Sequence, residues 1–206
     1  DICNRQRHEF ENKIMEAAVA HIEANEQLKN SKVIVVCGEG WHHGVIGIVA
    51  SRLTELYYRP AVVLTRSEGI ATGSARSVSG FDVYSAVQHC ADLLENFGGH
   101  TYAAGLSLKV EHVEEFKKRF EAYVSEHILD EQTQPTLDID AQLDFSDINI
   151  KFFQDLKKFS PFGPGNPKPI FFTPRVYDYG TSKVVGRGQE HIKLELVDNK
   201  SNNVMN

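Results

Sequence analysis

Three short segments of the 206-residue chain carry side chains and backbone suited to holding an anion. The first is Gly38-Glu39-Gly40-Trp41-His42-His43-Gly44, a glycine-bearing turn between an apolar run and a helical stretch. Backbone N–H groups at a helix start, approached closely through glycine, suit a phosphate. The spacing Gly38-x-Gly40-x-x-x-Gly44 is one residue longer than the G-x-G-x-x-G of dinucleotide-binding folds, which disfavours that reading. His42 and His43 are adjacent and point apart, so they do not form a ligand pair; one capping the turn and one in solvent is the bland alternative. The second segment, Ser74-Ala75-Arg76-Ser77, sets a guanidinium between two hydroxyls, all able to donate to phosphate oxygens. A solvated strand arginine is its alternative. The third is Gly98-Gly99-His100. Two consecutive glycines are costly and are tolerated where the backbone kinks or lies against a ligand. An imidazole directly after them, expected at a loop tip, suits a phosphate contact or proton transfer; a helix C-cap explains one of the glycines but not both.

What the sequence lacks narrows the chemistry. Two-metal phosphodiester hydrolysis needs several Asp, Glu or His ligands converging on the ions. The chain has no HExxH, no DHH triplet and no local Asp/His cluster, and Asp138-x-Asp140 reads as the solvated face of a strand. No Ser-His-Asp or Cys-His set is suggested. The segments look equipped to hold an anionic polymer or a nucleotide and not to cut it.

The elements that must position these segments follow from periodicity. Residues 2–28 place Phe10, Ile14, Ala17, Ala18 and Ile22 at helical spacing, a long opening helix. Val33 to Cys37 is a continuous apolar run and Ala61 to Thr65 another, bracketing a helix from Val45 to about Tyr57; this βαβ unit implies a partly parallel sheet. Residues 69–77 read as a further strand. Asp82 suits the N-cap of a helix to about Asn96, with Val83, Ala86, Val87, Cys90 and Leu94 on one face and Gly98-Gly99-His100 ending it. A strand from Tyr102 to Val110 and a helix from about Glu111 to His127 complete an α/β domain. Residues 131–136 form a polar linker. Alternation from Leu137 to Asp144 predicts a half-buried strand, and a short helix is expected over 148–159. The proline-rich run 161–169 is a rigid connector, followed by short strands over 170–176, 181–185 and 191–197 that resemble the start of a small β-barrel.

Composition agrees with a folded protein: 41% hydrophobic, 24% charged, and no apolar run of the roughly 18 residues a membrane span requires. A cytoplasmic protein with no membrane association is the expectation. The net charge of −6 divides unevenly, about −10 over residues 1–150 and +4 over 151–206, which suggests two units with different tasks. Cys3, Cys37 and Cys90 are odd in number and have no CxxC pair, as expected of reduced thiols. The absence of an initiator Met and the abrupt end at Val204-Met205-Asn206 suggest a piece of a longer protein.

Taken together, Gly40-Trp41-His42-x-Gly44-Val45-Ile46-Gly47-Ile48-Val49-Ala50, Ser74-x-Arg76-Ser77, Phe97-Gly98-Gly99-His100-x-x-Ala103-Ala104-Gly105 and Pro161-Phe162-Gly163-x-Gly165-Asn166-Pro167-x-Pro169 resemble, in order and spacing, the later motifs of the RecJ-type single-strand-specific exonucleases of the DHH phosphoesterase superfamily. The resemblance covers essentially the whole chain, and the proline-rich motif sets this family apart from its superfamily relatives. It implies a fold class of α/β type: a mixed β-sheet flanked by helices (the DHH-associated domain), preceded by a long linking helix and followed by a partial OB-like β-barrel. The expected boundaries are 1–30 for the helix, 31–130 for the DHH-associated domain and 131–206 for a linker and truncated OB-fold. It also implies 5′→3′ degradation of single-stranded DNA in repair and recombination, with two Mn²⁺ or Mg²⁺ ions held by an N-terminal DHH domain outside this chain, no metal in this chain, and no activity of this piece alone. Carried onto matching positions, Ser74 and Arg76 would contact strand phosphates. His100 would assist catalysis by stabilising a phosphate together with the Gly98-Gly99 backbone, His42 would lie at the substrate cleft, and Trp41 would pack. In the OB part, Lys183, Arg187 and Lys193 would track the nucleic-acid backbone and Tyr177 or Tyr179 would stack on bases, with Phe171 and Phe172 in the barrel core. The alternatives are a superfamily phosphoesterase for short oligonucleotides or cyclic dinucleotides, and a non-catalytic dinucleotide-binding module.

Overall fold

The computed structural model describes residues 2–163, 165–198, 200 and 204–205, with side chains from residue 5 onward. Asp1, Pro164, Asn206 and the Cys3 side chain, on which sequence expectations also rest, lie outside the described residues. The chain divides into two compact units, Asp1–Pro135 and Thr136–Asn206.

The first unit opens with α1 (Ile2–Glu23) and α2 (Glu26–Asn30). The single helix expected over 2–28 is broken because Asn25 turns out of helical geometry and its side chain accepts from the Gln27 and Leu28 N–H groups as an N-cap. The end of α2 is held by Arg59, whose Nη1 donates to the Leu28 and Lys29 carbonyls at 3.2 and 2.7 Å. There follow β1 (Ile34–Glu39), α3 (His43–Tyr57), β2 (Ala61–Ser67), β3 (Ile70–Arg76), α4 (Val83–Gln88), β4 (Leu94–His100), β5 (Ala103–Lys109) and α5 (Val113–His127). The five strands form one sheet in the order β1-β2-β3-β5-β4, with β1 and β2 parallel and every other pair antiparallel.

The sheet is covered differently on its two faces. One face carries Val33, Val35, Val62, Leu64, Ala71, Ala75, Leu106 and Leu108, packed by α4 and α5 through Val83, Val87, Phe116, Phe120 and Val124. The other is apolar only over β1 and β2, where Ile34, Val36, Ala61 and Val63 meet Val45, Val49 and Leu53 of α3 and Ile14, Ala18 and Ile22 of α1, which also touches β1. Each fully buried aliphatic or aromatic side chain in these clusters contributes on the order of 1.5–3 kcal/mol. Cys37 and Cys90 are free thiols; burial pushes the Cys90 thiol up to about 11.

The segment after α4 departs from expectation. The helix started by Asp82, whose carboxylate accepts from the Ser85 N–H, ends at Gln88, and a 3₁₀ turn over Ala91–Leu93 leads into β4. Gly98, Gly99 and His100 therefore lie in an edge strand ending at the Thr101-Tyr102 turn, and not in a loop after a helix.

The second unit contains β6 (Ala141–Gln142), α6 (Ile150–Lys157), β7 (Phe171–Phe172), β8 (Val176–Asp178), β9 (Lys183–Val185), β10 (His191–Lys193), β11 (Leu196–Asp198) and β12 (Val204–Met205). The strands form a parallel β6-β7 pair, a β9-β10 hairpin and a three-stranded β12-β11-β8 sheet. Of the half-buried strand expected over 137–144 only Ala141 and Gln142 pair, and Leu137 and Ile139 are exposed. Asp140 is not simply solvated: its Oδ2 accepts from the Ile170 N–H at 2.8 Å and so positions β7. Phe171 packs edge-on against Phe152, whereas Phe172, expected in the core, is 46% exposed, because adjacent residues of a strand point to opposite faces and α6 packs on the Phe171 side.

Candidate nucleic-acid interface

The face of the first unit on which α3 lies, over β2 and β3, changes from apolar to polar at β3. Directly paired residues of antiparallel strands point to the same side, so the register defines the surface row by row. Arg76, Ala103 and His100 form one row; Ser74, Gly105 and Gly98 the next; Thr72, Ser107 and Asn96 a third. Neighbouring positions in a row are about 4.8 Å apart and rows are about 7 Å apart. Asn96, Gly98, His100 and Gly105 are exposed and Thr72, Ser74, Arg76 and Ser107 half-buried, so the surface is open, small and polar.

Arg76 is its dominant charge. Nη1 donates to Ser74 Oγ at 2.7 Å and to the Ala75 carbonyl at 2.8 Å, laying the guanidinium along β3. Gly47 of α3 makes room for it, since a Cβ there would stand 3.0 Å from Arg76 Nη2 and 3.2 Å from Ser74 Oγ. Burial lowers the Arg76 pKa from its ordinary value, and no carboxylate pairs with it among the described residues. A half-buried cation without a counter-ion, already oriented by two hydrogen bonds, is prepared for an anion.

His100 ends β4. Its Nδ1 accepts from the Tyr102 N–H at 3.4 Å, a long contact that orients the ring. The end of the hairpin is fixed by the Ser77 N–H donating to the Tyr102 carbonyl and the Val83 N–H to the Thr101 carbonyl. The two glycines before it have different causes. Gly99 has φ +156° and faces the α4–α5 side, where a Cβ would overlap the Ala103 carbonyl oxygen and stand 2.6 Å from Ala104 Cα. At Gly98 a Cβ would meet nothing within 4 Å, and at Gly105 only the Gly98 carbonyl oxygen at 4.0 Å. Packing demands glycine at 99 but not at 98 or 105, where the backbone is left bare on the open face.

His42 belongs to a different arrangement. It is the N-cap of α3, its Nδ1 accepting from the Gly44 N–H at 3.1 Å, and its ring stacks on Phe10 of α1 with centroids 5.5 Å apart. His43 is exposed, and Trp41 packs its ring where a Gly38 side chain would sit. The structure thus brings Ser74, Arg76, Gly98 and His100 onto one face, with Gly99 holding the strands beneath them, and leaves His42 at the α1–α3 contact. Sequence reasoning assigned no role to Gly105, Thr72, Ser107 or Asn96. Alternation carried the signal for the first three: Thr72-x-Ser74-x-Arg76 and Gly105-x-Ser107 oppose the buried Ala71, Ala75, Ala104, Leu106 and Leu108.

In the second unit Lys183 is exposed on β9 directly opposite Lys193 of β10, and Arg187 is exposed in the turn between them. Lys193 also approaches Glu195 at 3.6 Å. Tyr177 and Tyr179 are 56% and 58% exposed. Among the described residues no group of three or more His, Cys, Asp or Glu side chains is placed to hold a metal ion, and no helix is long and apolar enough to cross a membrane.

Comparison with known proteins bears on both units. Residues 30–126 match the DHHA1 domain and residues 139–205 the RecJ OB domain. The chain is 34% identical over 203 residues to the single-stranded-DNA-specific exonuclease RecJ of Bacillus subtilis, covering 98% of this chain and 25% of that protein. It is 34% identical over 163 residues to the RecJ of Haemophilus influenzae, covering 76% and 28%. The crystal structure of RecJ from Thermus thermophilus in complex with Mn²⁺ superposes with a TM-score of 0.76 at 28% identity, over 94% of this chain and 28% of that one. The chain spans about a quarter of the length of the curated relatives it matches. With a mixed α/β sheet domain followed by an OB-type strand region, both matched in order, it belongs to the RecJ family of single-strand-specific exonucleases and carries that family's DHHA1 and OB domains.

Proposed function

We propose that this chain is the strand-holding part of an exonuclease that degrades single-stranded DNA in the 5′→3′ direction during repair and recombination. The observation that carries the reading is Arg76, a half-buried guanidinium with no acidic partner among the described residues, opening onto a sheet face whose backbone is bare at Gly98 and Gly105. A phosphate seated beside Arg76 gains charge-assisted hydrogen bonds from a group already oriented by Ser74 and the Ala75 carbonyl. His100, about 10 Å away across the row, donates from Nε2 to the same or the adjoining phosphate and assists by stabilising its developing negative charge. His42 flanks this region at the start of α3.

In this reading residues 1–30 link to a preceding domain, 31–130 are the DHH-associated domain and 131–206 the OB part. There Lys183 and Arg187 track the backbone and Tyr177 and Tyr179 offer exposed ring faces for bases. Mn²⁺ or Mg²⁺ ions, bound by a DHH domain outside these residues, would supply a water activated for attack on the phosphodiester. The protein works in the cytoplasm.

Fluorescence anisotropy of the 206-residue chain with a labelled oligonucleotide tests the reading. Single strand is expected to bind in preference to duplex, with affinity falling as salt rises by about 0.7 log units per log unit for each phosphate contacted. Arg76→Ala should weaken binding about tenfold and reduce that slope by about 0.7. Equal affinity for duplex, or an Arg76→Ala variant that binds as the parent does, would refute it. Incubated with Mn²⁺, the isolated chain is expected to leave single strands intact, and processive degradation would overturn the assignment of the chemistry to another domain.

A further inference from the structure

The open sheet face is longer than the Arg76 and His100 row needs. Beyond the bare Gly98–Gly105 pair lies the Thr72–Ser107–Asn96 row, and beyond that Lys109, paired with Ile70 at the far end of the strands. None of the Thr72, Ser107, Asn96 or Lys109 side chains has a hydrogen-bond or ion-pair partner among the described residues. The row also continues inward to Thr65 of β2, which is 1% exposed and whose Oγ1 has no hydrogen-bond partner among the described residues. His100 at the Arg76 end is the aromatic ring on the β3, β5 and β4 part of this face, and the Thr72–Ser107–Asn96 and Ile70–Lys109 rows beyond it offer bases nothing to stack on.

We propose that the Thr72–Ser107–Asn96 row and Lys109 form a second subsite that holds the sugar–phosphate backbone of a single strand one or more nucleotides beyond the phosphate at Arg76, the Gly98–Gly105 backbone being the floor between them. The inference rests on the reading of Arg76 and His100 as a phosphate site and extends it. Six residues of extended strand separate Arg76 from the Ile70–Lys109 row, about 20 Å, so the face has a cation at each end and neutral hydrogen-bonding groups between. Hydroxyl and amide groups position a backbone without reading sequence, and they add no counter-ion release of their own. The absence of side chains at 98 and 105 lets a strand lie flat across β5 and β4. This surface therefore contributes length dependence and sequence tolerance, whereas Arg76 contributes charge.

The test compares a dinucleotide, too short to leave the Arg76 row, with a twelve-nucleotide single strand, both titrated by anisotropy against the 206-residue chain over a salt series. The Asn96→Ala/Ser107→Ala double variant should bind the longer strand several-fold more weakly with its salt slope unchanged, and the dinucleotide as before. Lys109→Ala should weaken only the longer strand and lower its slope by about 0.7. Gly105→Val, whose side chain projects into open space and suits a strand, should weaken both ligands while melting at the parent temperature. Variants that bind the longer strand like the parent, or that lose the dinucleotide equally with Asn96, Ser107 or Lys109 removed, overturn the subsite. If Arg76→Ala still weakens both lengths in that case, the phosphate site stands alone; if it weakens neither, the underlying reading has failed.

Discussion

Gly98 and Gly99 are neighbours in sequence and opposites in what the fold asks of them. At Gly99 the β5 backbone occupies the space a Cβ would take, and φ lies at +156°. Gly99→Ala should therefore force β4 away from β5 and cost on the order of 2–3 kcal/mol. Gly98→Ala places a methyl in open space and should leave the melting temperature unchanged or raise it slightly, because alanine restricts the unfolded chain more than glycine does. Thermal melts of the two single variants check the contrast; equal destabilisation would show that the open face is packed. Two adjacent glycines are visible in the sequence as an oddity, with a kink and a close ligand approach as the rival explanations. The close approach of the β5 backbone explains Gly99 and not Gly98, whose Cβ position is open, and only the register of β4 against β5 separates them. Arg76 stands out in the sequence as a candidate phosphate ligand because of its flanking serines, but its lack of an acidic partner among the described residues and the room made for it by Gly47 are tertiary facts that no local spacing contains.

The element hardest to see in the sequence is β4. Leu94 and Phe97 both pack toward the α4–α5 side although they are three residues apart, because the strand carries an irregularity between Leu94 and Asn96 that advances its alternation by one. Three-residue spacing after Val83, Ala86, Val87 and Cys90 looks like a helix continuing, so the bulge disguises an edge strand as a helical turn. By contrast β1, α3, β2 and α5 are legible because each buries an uninterrupted run or stripe. The break between α1 and α2 depends on a single Asn25 cap within an otherwise helical composition. How α1 is held to α3 illustrates a contact that periodicity does not report. Glu11, 1% exposed in α1, forms an ion pair with Arg52, Nε lying 2.6 Å from its Oε1 without the alignment of a hydrogen bond, and lies 3.5 Å from His8. Arg52 is 43% exposed, so water can solvate the arginine if it is left alone but not the carboxylate. Arg52→Ala should therefore be the more damaging of the two substitutions, about 2 kcal/mol against about 1 kcal/mol for Glu11→Gln. Urea denaturation of both variants measures the difference, and a Glu11→Gln variant less stable than Arg52→Ala would contradict the asymmetry.

The two units differ in how much of themselves they bury, and that sets where the chain opens first. Nearly all fully buried side chains belong to residues 1–135; among the described residues of 136–206 only Phe145 and Asp198 are buried, and Leu137, Ile150, Phe153, Phe159 and Ile192 are more than half exposed. The alternating pattern over 137–144 predicted burial that the short β6–β7 pairing does not deliver, because alternation states which residues share a face and not whether anything covers it. The second unit relies instead on polar anchors. The Asp198 carboxylate accepts from the Phe145 N–H at 2.8 Å and from the Lys200 N–H at 3.0 Å, tying β11 to the turn before α6, and Lys200 Nζ pairs with Asp144 at 2.8 Å. Local opening free energy follows buried apolar contact, so amide exchange in β8–β11 should run orders of magnitude faster than in β1, β2, β3 and β5 of the same chain. Asp198→Ala removes the acceptor for a buried N–H, a cost of about 1–3 kcal/mol, large relative to what so small a core supplies. Hydrogen-exchange mass spectrometry of this variant should show protection lost throughout 141–198 while peptides from 34–109 keep theirs. Uniform protection across both units in the parent, or loss spreading into the five-stranded sheet in the variant, would mean that the chain unfolds as one cooperative body and that its open sheet face shares the stability of the OB part.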